Sequence, residues 1–153
     1  MPHVAVHTIL EAIIFALNWI FETMSYAAII HVIDDDQVMR DSLDMLLTSE
    51  GYAVRTYASA GLFLDTIRPT ENSCIITDVD MPGMDGLELL ATLRKRSIFM
   101  TAIVLTGCAA ANAASAAMAL GAFRFFEKPT EPDILLASVF TALELGRRPQ
   151  SAA

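Results

Sequence analysis

Cysteine is scarce in this chain. Cys74 and Cys108 are the only two, and they form neither a CxxC nor any other metal-ligand spacing. Basic residues are scarce too: ten Lys and Arg stand against eighteen Asp and Glu, for a net charge of -8 and a pI near 4.7. A nucleic-acid surface needs clustered Lys and Arg, and the pair Arg147–Arg148 is too small a cluster for that. No apolar run reaches the ~20 residues of a membrane span. The longest, TILEAIIFALNWIFETM, is shorter and holds acids, and no Lys or Arg precedes it as a signal peptide would require. Only 18% of residues are charged and 54% are hydrophobic, which excludes a disordered chain or a charged linker. What remains is a domain of ordinary size with enough apolar residues to bury a core. Its acidic balance suits a cytoplasmic protein or one that holds cations.

From residue 27 onward, short β-branched runs alternate with helical periodicity. The runs are AAIIHVI (27–33), YAVRTY (52–57), CIITDV (74–79), TAIVLT (101–106) and AFRFFE (122–127). After the first run, Val38, Met39, Ser42, Leu43, Leu46 and Leu47 lie near one helical face that Gly51 ends. Ser59 caps a short helix that stops before Pro69. The turn MPGMDG leads into a helix with Leu87, Leu90 and Leu93. An Ala-rich helix, from AAANAASAAMA (109–119), ends at Gly121. Thr130 with Asp133 reads as a capping box for a last helix carrying Leu135, Val139 and Leu143. Five βα units imply an α/β fold, a parallel sheet with helices on both faces. Cys74 near the start of one strand and Cys108 past the end of the next should lie roughly 15–20 Å apart. Two free thiols in a reducing compartment are expected.

In such sheets ligands bind beyond the carboxyl ends of the strands. There stand Asp34, Asp35 and Asp36 after the first run, Asp78 in the third, Thr106 in the fourth and Lys128 after the fifth. Clustered carboxylates repel one another and call for a cation. An oxygen-only donor set without His or Cys suits Mg²⁺ rather than zinc. A lysine supplies a point charge for an anion, and a hydroxyl one more hydrogen bond. Together they can receive a phosphoryl group on a carboxylate.

The segments VIDDD, TDVDMPGMDG, VLTG and FFEKP, in this order, resemble the receiver domain of response regulators. ASAGLFL and GMDGLELL resemble its FixJ/NarL-type subset. The resemblance covers roughly residues 27–145. It implies a flavodoxin-like (CheY-like) sheet of strand order 2-1-3-4-5. It also implies Asp78 as phosphoacceptor, with Mg²⁺ held by Asp34, Asp35, Asp78 and the backbone carbonyl of Asp80. Thr106 and Lys128 would contact the phosphoryl group. Phe125 would couple to Thr106 as the switch aromatic, and the Lys128–Pro129 bond would be cis. Asp36 reads as a helix cap and the Asp80 side chain as solvent-facing. Cys108 reads as a small loop residue and His31 as structural. His3 and His7 lack a third ligand.

The implied role is a non-enzymatic switch of a two-component phosphorelay. A sensor histidine kinase would phosphorylate it, and the output would be an unknown protein. A shuttle to a histidine phosphotransfer protein is the alternative. A haloacid-dehalogenase-type phosphohydrolase also uses Asp, Mg²⁺, Thr and Lys, but its nucleophile follows the first strand. The chain ends a few residues after its fifth βα helix, without a helix-turn-helix, so nucleic acid is not the expected target. Residues 1–26 have no receiver counterpart and precede a domain over 27–148, with a disordered tail over 149–153. Thr8 and Glu11 suggest a capped helix from about residue 9 to 23. Three readings stay open for it: a homodimerisation or docking helix, a stretch preceding a true start at Met24, or membrane contact through residues 9–23.

Overall fold

A computed structural model of the chain describes residues 3–25, 28–68, 72–107 and 112–146, with side chains described for residues 6–20 of the first segment. After helix α1 (His3–Ser25), strands and helices alternate: β1 (Ile29–Ile33), α2 (Gln37–Ser49), β2 (Ala53–Tyr57), α3 (Ala60–Thr66), β3 (Ser73–Asp78), α4 (Gly86–Lys95), β4 (Thr101–Thr106), α5 (Ala113–Ala119), β5 (Arg124–Glu127) and α6 (Pro132–Gly146). The five strands form one sheet in the order β2-β1-β3-β4-β5, and every neighbouring pair is parallel. This is the flavodoxin-like α/β fold expected.

Alternation along the strands splits the core in two. Ile30 and Val32 of β1, Cys74 and Ile76 of β3, and Ile103 and Leu105 of β4 face α2 and α6, where Leu43, Leu47, Leu135, Val139 and Leu143 meet them. On the opposite face Ile33, Ile75, Ala102 and Val104 pack with Phe63 of α3, Leu89 and Leu93 of α4 and Ala117 of α5. Strands covered on both faces read as near-continuous apolar runs, which is why the polar residues of β3 and β4 stand at the strand ends around the apolar centres Cys74–Ile76 and Ala102–Leu105. His31 is the exception within β1. It is fully buried, its Nδ1 shares a 3.0 Å hydrogen bond with the Tyr57 hydroxyl, and its ring lies edge-on to Phe63. Its role is structural, as expected.

Several local expectations hold. Asp36 caps α2 by accepting from the Val38 amide, and Ser59 caps α3 by accepting from Leu62. Gly51 and Gly121 follow helix ends with positive φ, where a glycine is the natural stop. Others are corrected. The first helix starts by His3, not near residue 9, because no Gly or Pro stands between His3 and Thr8 to stop it. Thr8 is therefore inside the helix, and Glu11 pairs with His7 one turn earlier, at 3.3 Å. Thr130 does not cap α6. Its hydroxyl donates to the Glu127 carbonyl, and the helix opens at Pro132, whose fixed φ and missing N–H suit the first helical position. Val38 points into solvent rather than toward the core. Cys74 is fully buried, and burial pushes its thiol up to about 12. Cys108, Ala109 to Ala111 of the Ala-rich run and the tail over 149–153 lie outside the described residues.

Phe63 is wholly buried, while Leu62 beside it is about half exposed. Phe63→Ala should lower the unfolding free energy by about 3–5 kcal/mol, and Leu62→Ala by no more than about 0.5 kcal/mol. Urea unfolding of both variants checks this, and equal losses would mean that α3 packs on a different face.

Candidate functional site

The site lies where four parallel strands end. Asp34 follows the last residue of β1, Asp78 closes β3, Thr106 closes β4 and Lys128 follows β5. All but Lys128 are buried, and Lys128 is mostly so. Asp35, next to Asp34, is exposed. The carboxylate oxygens of Asp34, Asp35 and Asp78 come within 4.8 Å of one another.

The two buried carboxylates are each held on two sides. Asp34 Oδ1 accepts from the Asp36 amide at 2.9 Å, and its Oδ2 accepts from Lys128 Nζ at 2.7 Å. Asp78 Oδ1 accepts from the Asp80 amide at 3.3 Å, and its Oδ2 from the same Lys128 Nζ at 3.3 Å. The lysine backbone is anchored as well: its amide donates to the Thr106 carbonyl at 2.7 Å, and the Lys128–Pro129 peptide is cis. The Asp80 side chain is exposed, while its amide folds back onto Asp78. Phe125 pairs in register with Val104 and is half-buried on the α5 side. Thr106, two residues beyond Val104, projects to the same sheet face.

The electrostatics are unbalanced. Burial raises the Asp78 carboxyl above its ordinary value, Lys128 pulls it back, and the nearby Asp34 raises it further. Burial alone would lower Lys128, but its hydrogen bond and charge attraction to Asp34, with Asp78 adding to them, leave its ammonium raised. Two buried carboxylates thus share one lysine, with Asp35 at the rim. Three carboxylates with no nitrogen or sulfur donor form a set that fits a hard divalent cation. Asp34, Asp35, Asp78 and Lys128 therefore do come together, and strand alternation puts Thr106 and Phe125 on one sheet face.

Three supporting residues escaped the sequence reading. A Cβ at Gly86 would overlap the Asp78 backbone carbonyl oxygen and come within 2.9 Å of the Asp78 carbonyl carbon. Only glycine lets α4 start directly beneath Asp78. Asp85 caps that helix through a full capping box with Glu88. Its D-x-x-E spacing was visible in the sequence. Arg40 donates to the Asp34 carbonyl at 2.7 Å, a contact that no sequence spacing announces.

Gly86→Ala should destabilise the fold at the upper end of the ~1–3 kcal/mol usual for overpacking, measured by urea unfolding. A neutral outcome would mean that α4 is not seated against the Asp78 backbone. The raised Asp78 carboxyl means that its ionised form opposes folding above the pH where it titrates in the folded state. That opposition disappears below the ordinary carboxylate range, where both states are protonated. Asp78→Asn should therefore raise the thermal midpoint at pH 7, and its advantage should shrink as the pH falls toward 4. A lowered midpoint at neutral pH would show that the Lys128 attraction outweighs the burial.

The family model described as "Response regulator receiver domain" matches residues 30–140. The transcriptional regulatory protein FixJ of Azorhizobium caulinodans is 47% identical over 114 residues, which are 74% of this chain and 54% of that protein. FixJ of Bradyrhizobium diazoefficiens is 42% identical over 114 residues, 74% of this chain and 56% of that protein. The chain thus spans about half the length of these relatives. Among solved structures, FixJ-N superposes with a TM-score of 0.72 at 37% identity, over 76% of this chain and 94% of its own. With an acidic strand-end cluster on a 2-1-3-4-5 sheet and a family match spanning most of its length, this chain belongs to the response regulator receiver domains, and within them it is similar to the FixJ type.

Proposed function

We propose that this chain is a phosphorylation switch of a two-component system, with Asp78 as the phosphoacceptor, a sensor histidine kinase as the donor, and another protein as the recipient of the signal. The observation that carries this reading is the shared lysine. One ammonium bridges the Asp34 and Asp78 carboxylates, which leaves an excess of buried negative charge at the carboxyl ends of the strands. Mg²⁺ bound by Asp34, Asp35, Asp78 and the Asp80 backbone carbonyl would neutralise that excess and draw charge from a phosphoryl group.

The chemistry asked of the chain itself is modest. An Asp78 carboxylate oxygen forms a bond to phosphorus as the phosphorus–nitrogen bond of a phosphohistidine breaks, and the imidazole nitrogen keeps the electron pair and takes up a proton. Lys128 Nζ, already within reach of Asp78, exchanges part of its carboxylate contact for a phosphoryl oxygen. The Thr106 hydroxyl donates to another. A phosphoryl group adds about -1.5 to -2 charges, enough to draw Thr106 toward it. Phe125 shares the sheet face with Thr106, so the space that Thr106 leaves is open to its ring. The surface around α5, β5 and α6 is then the part that changes shape. We read the chain as a switch rather than a phosphohydrolase, because the acceptor ends the third strand and not the first.

Incubation with Mg²⁺ and acetyl phosphate, followed by intact mass measurement, should show a gain of one phosphoryl group. The gain should vanish on chelation of Mg²⁺ and in Asp78→Asn. A folded parent that takes up nothing would sink the reading, and multiple turnover of the phosphodonor at a rate typical of an enzyme would favour a hydrolase. A phosphorylated histidine kinase domain tests the donor: transfer to the parent and not to Asp78→Asn is the expected result.

A further inference from the structure

Helix α1 is apolar over nearly all of its described surface. Every side chain from residue 6 to 20 is exposed. Nine of these are large and hydrophobic, each with 45–75% of its surface bare. So extensive an exposed apolar surface beside a polar stripe marks a site of protein or membrane contact. A helix this apolar persists in water only when something covers it.

The spacing indicates what does. Val6, Leu10, Ile13, Leu17 and Ile20 follow one another at steps of four, three, four and three. That is the 3.5-residue repeat of a coiled seam, with leucine at the two a positions between residues 6 and 20 and β-branched residues at the d positions. Ile9 and Ile14 flank the seam where a two-stranded coil carries charges, so the apolar face is wider than two helices can use. Thr8, Glu11 and Asn18 fall on the b and f positions, away from the seam. Leucine at a with isoleucine at d favours three or four strands over two. A lipid surface fits poorly: there is no Lys or Arg before Arg40 to attract anionic headgroups, and no helix among the described residues is long and apolar enough to cross a membrane.

We propose that α1 is covered by the α1 helices of other copies of this chain, in a coiled bundle of three or four chains that holds several receivers together. Sedimentation equilibrium of the full chain tests this. The parent should give three or four times its 16.6 kDa mass, and the double variant Ile13→Glu, Leu17→Glu should give a single chain. Phe15→Ser, outside the seam, should keep the mass of the parent. The double variant should still take up phosphate at Asp78, which shows that its receiver is folded. A parent of one or two chains would overturn the proposal, as would an assembly that survives the double substitution. A parent that is monomeric in buffer but pellets with phosphatidylcholine–phosphatidylglycerol vesicles would assign the helix to lipid instead.

Discussion

The ammonium of Lys128, 2.7 Å from Asp34 and 3.3 Å from Asp78, is the interaction on which the site depends. A carboxylate buried without a partner costs several kcal/mol, and here two lie at the ends of adjacent strands. The lysine comes from beyond β5, on the far side of β4, and reaches across it. That reach requires β5 to be in register with β4, the Lys128 amide to be tied to the Thr106 carbonyl, and the chain to turn at Pro129. One cation for two buried anions leaves the cluster short of positive charge, and Asp78 is left raised. The arrangement costs the fold stability, and its three clustered carboxylates, Asp34, Asp35 and Asp78, form a set that could hold a hard divalent cation.

The two-sided core gives this local imbalance a way out. Strand alternation sends Thr106 and Phe125 to the face covered by α3, α4 and α5, and sends Phe126 to the face covered by α2 and α6. Thr106 and Phe125 therefore sit on one side of the sheet and Phe126 on the other. Gly86 adds a second constraint at the same corner. With no side chain there, α4 begins against the backbone of Asp78 itself, so the helix and Asp78 share one turn capped by Asp85 and Glu88.

Helix α1 obeys different rules. Helix α2 buries one face and leaves the other largely polar, with Leu43 and Leu47 inside and Asp41 and Asp44 outside. In α1 the apolar residues cover all but a stripe holding His7, Thr8, Glu11 and Asn18, and none of the described ones is buried. The sequence signals a helix but not its start: Thr8 and Glu11 have capping-box spacing without being at a helix end. Thr130 and Asp133 mislead in the same way at α6, because a capping box is a statement about where the backbone stops being helical, and residue spacing alone does not contain that.

Elsewhere the chain was legible wherever the physics is local or periodic. Apolar runs bounded by helical periodicity sufficed for all five βα units, and Asp36, Ser59, Gly51 and Gly121 marked helix ends by their own side chains or lack of one. The order of motifs placed Asp34, Asp78, Thr106 and Lys128 at strand ends, since the end of a run is visible in the sequence. What only the tertiary structure decided is which of these atoms meet: that Lys128 is shared by two carboxylates, that Asp35 stays at the rim, that Arg40 binds the Asp34 carbonyl and that Gly86 lies under Asp78. Those contacts join residues brought together by strand order, register and helix packing. They depend on distances across the sheet, to which the spacing of residues along the chain has no direct relation.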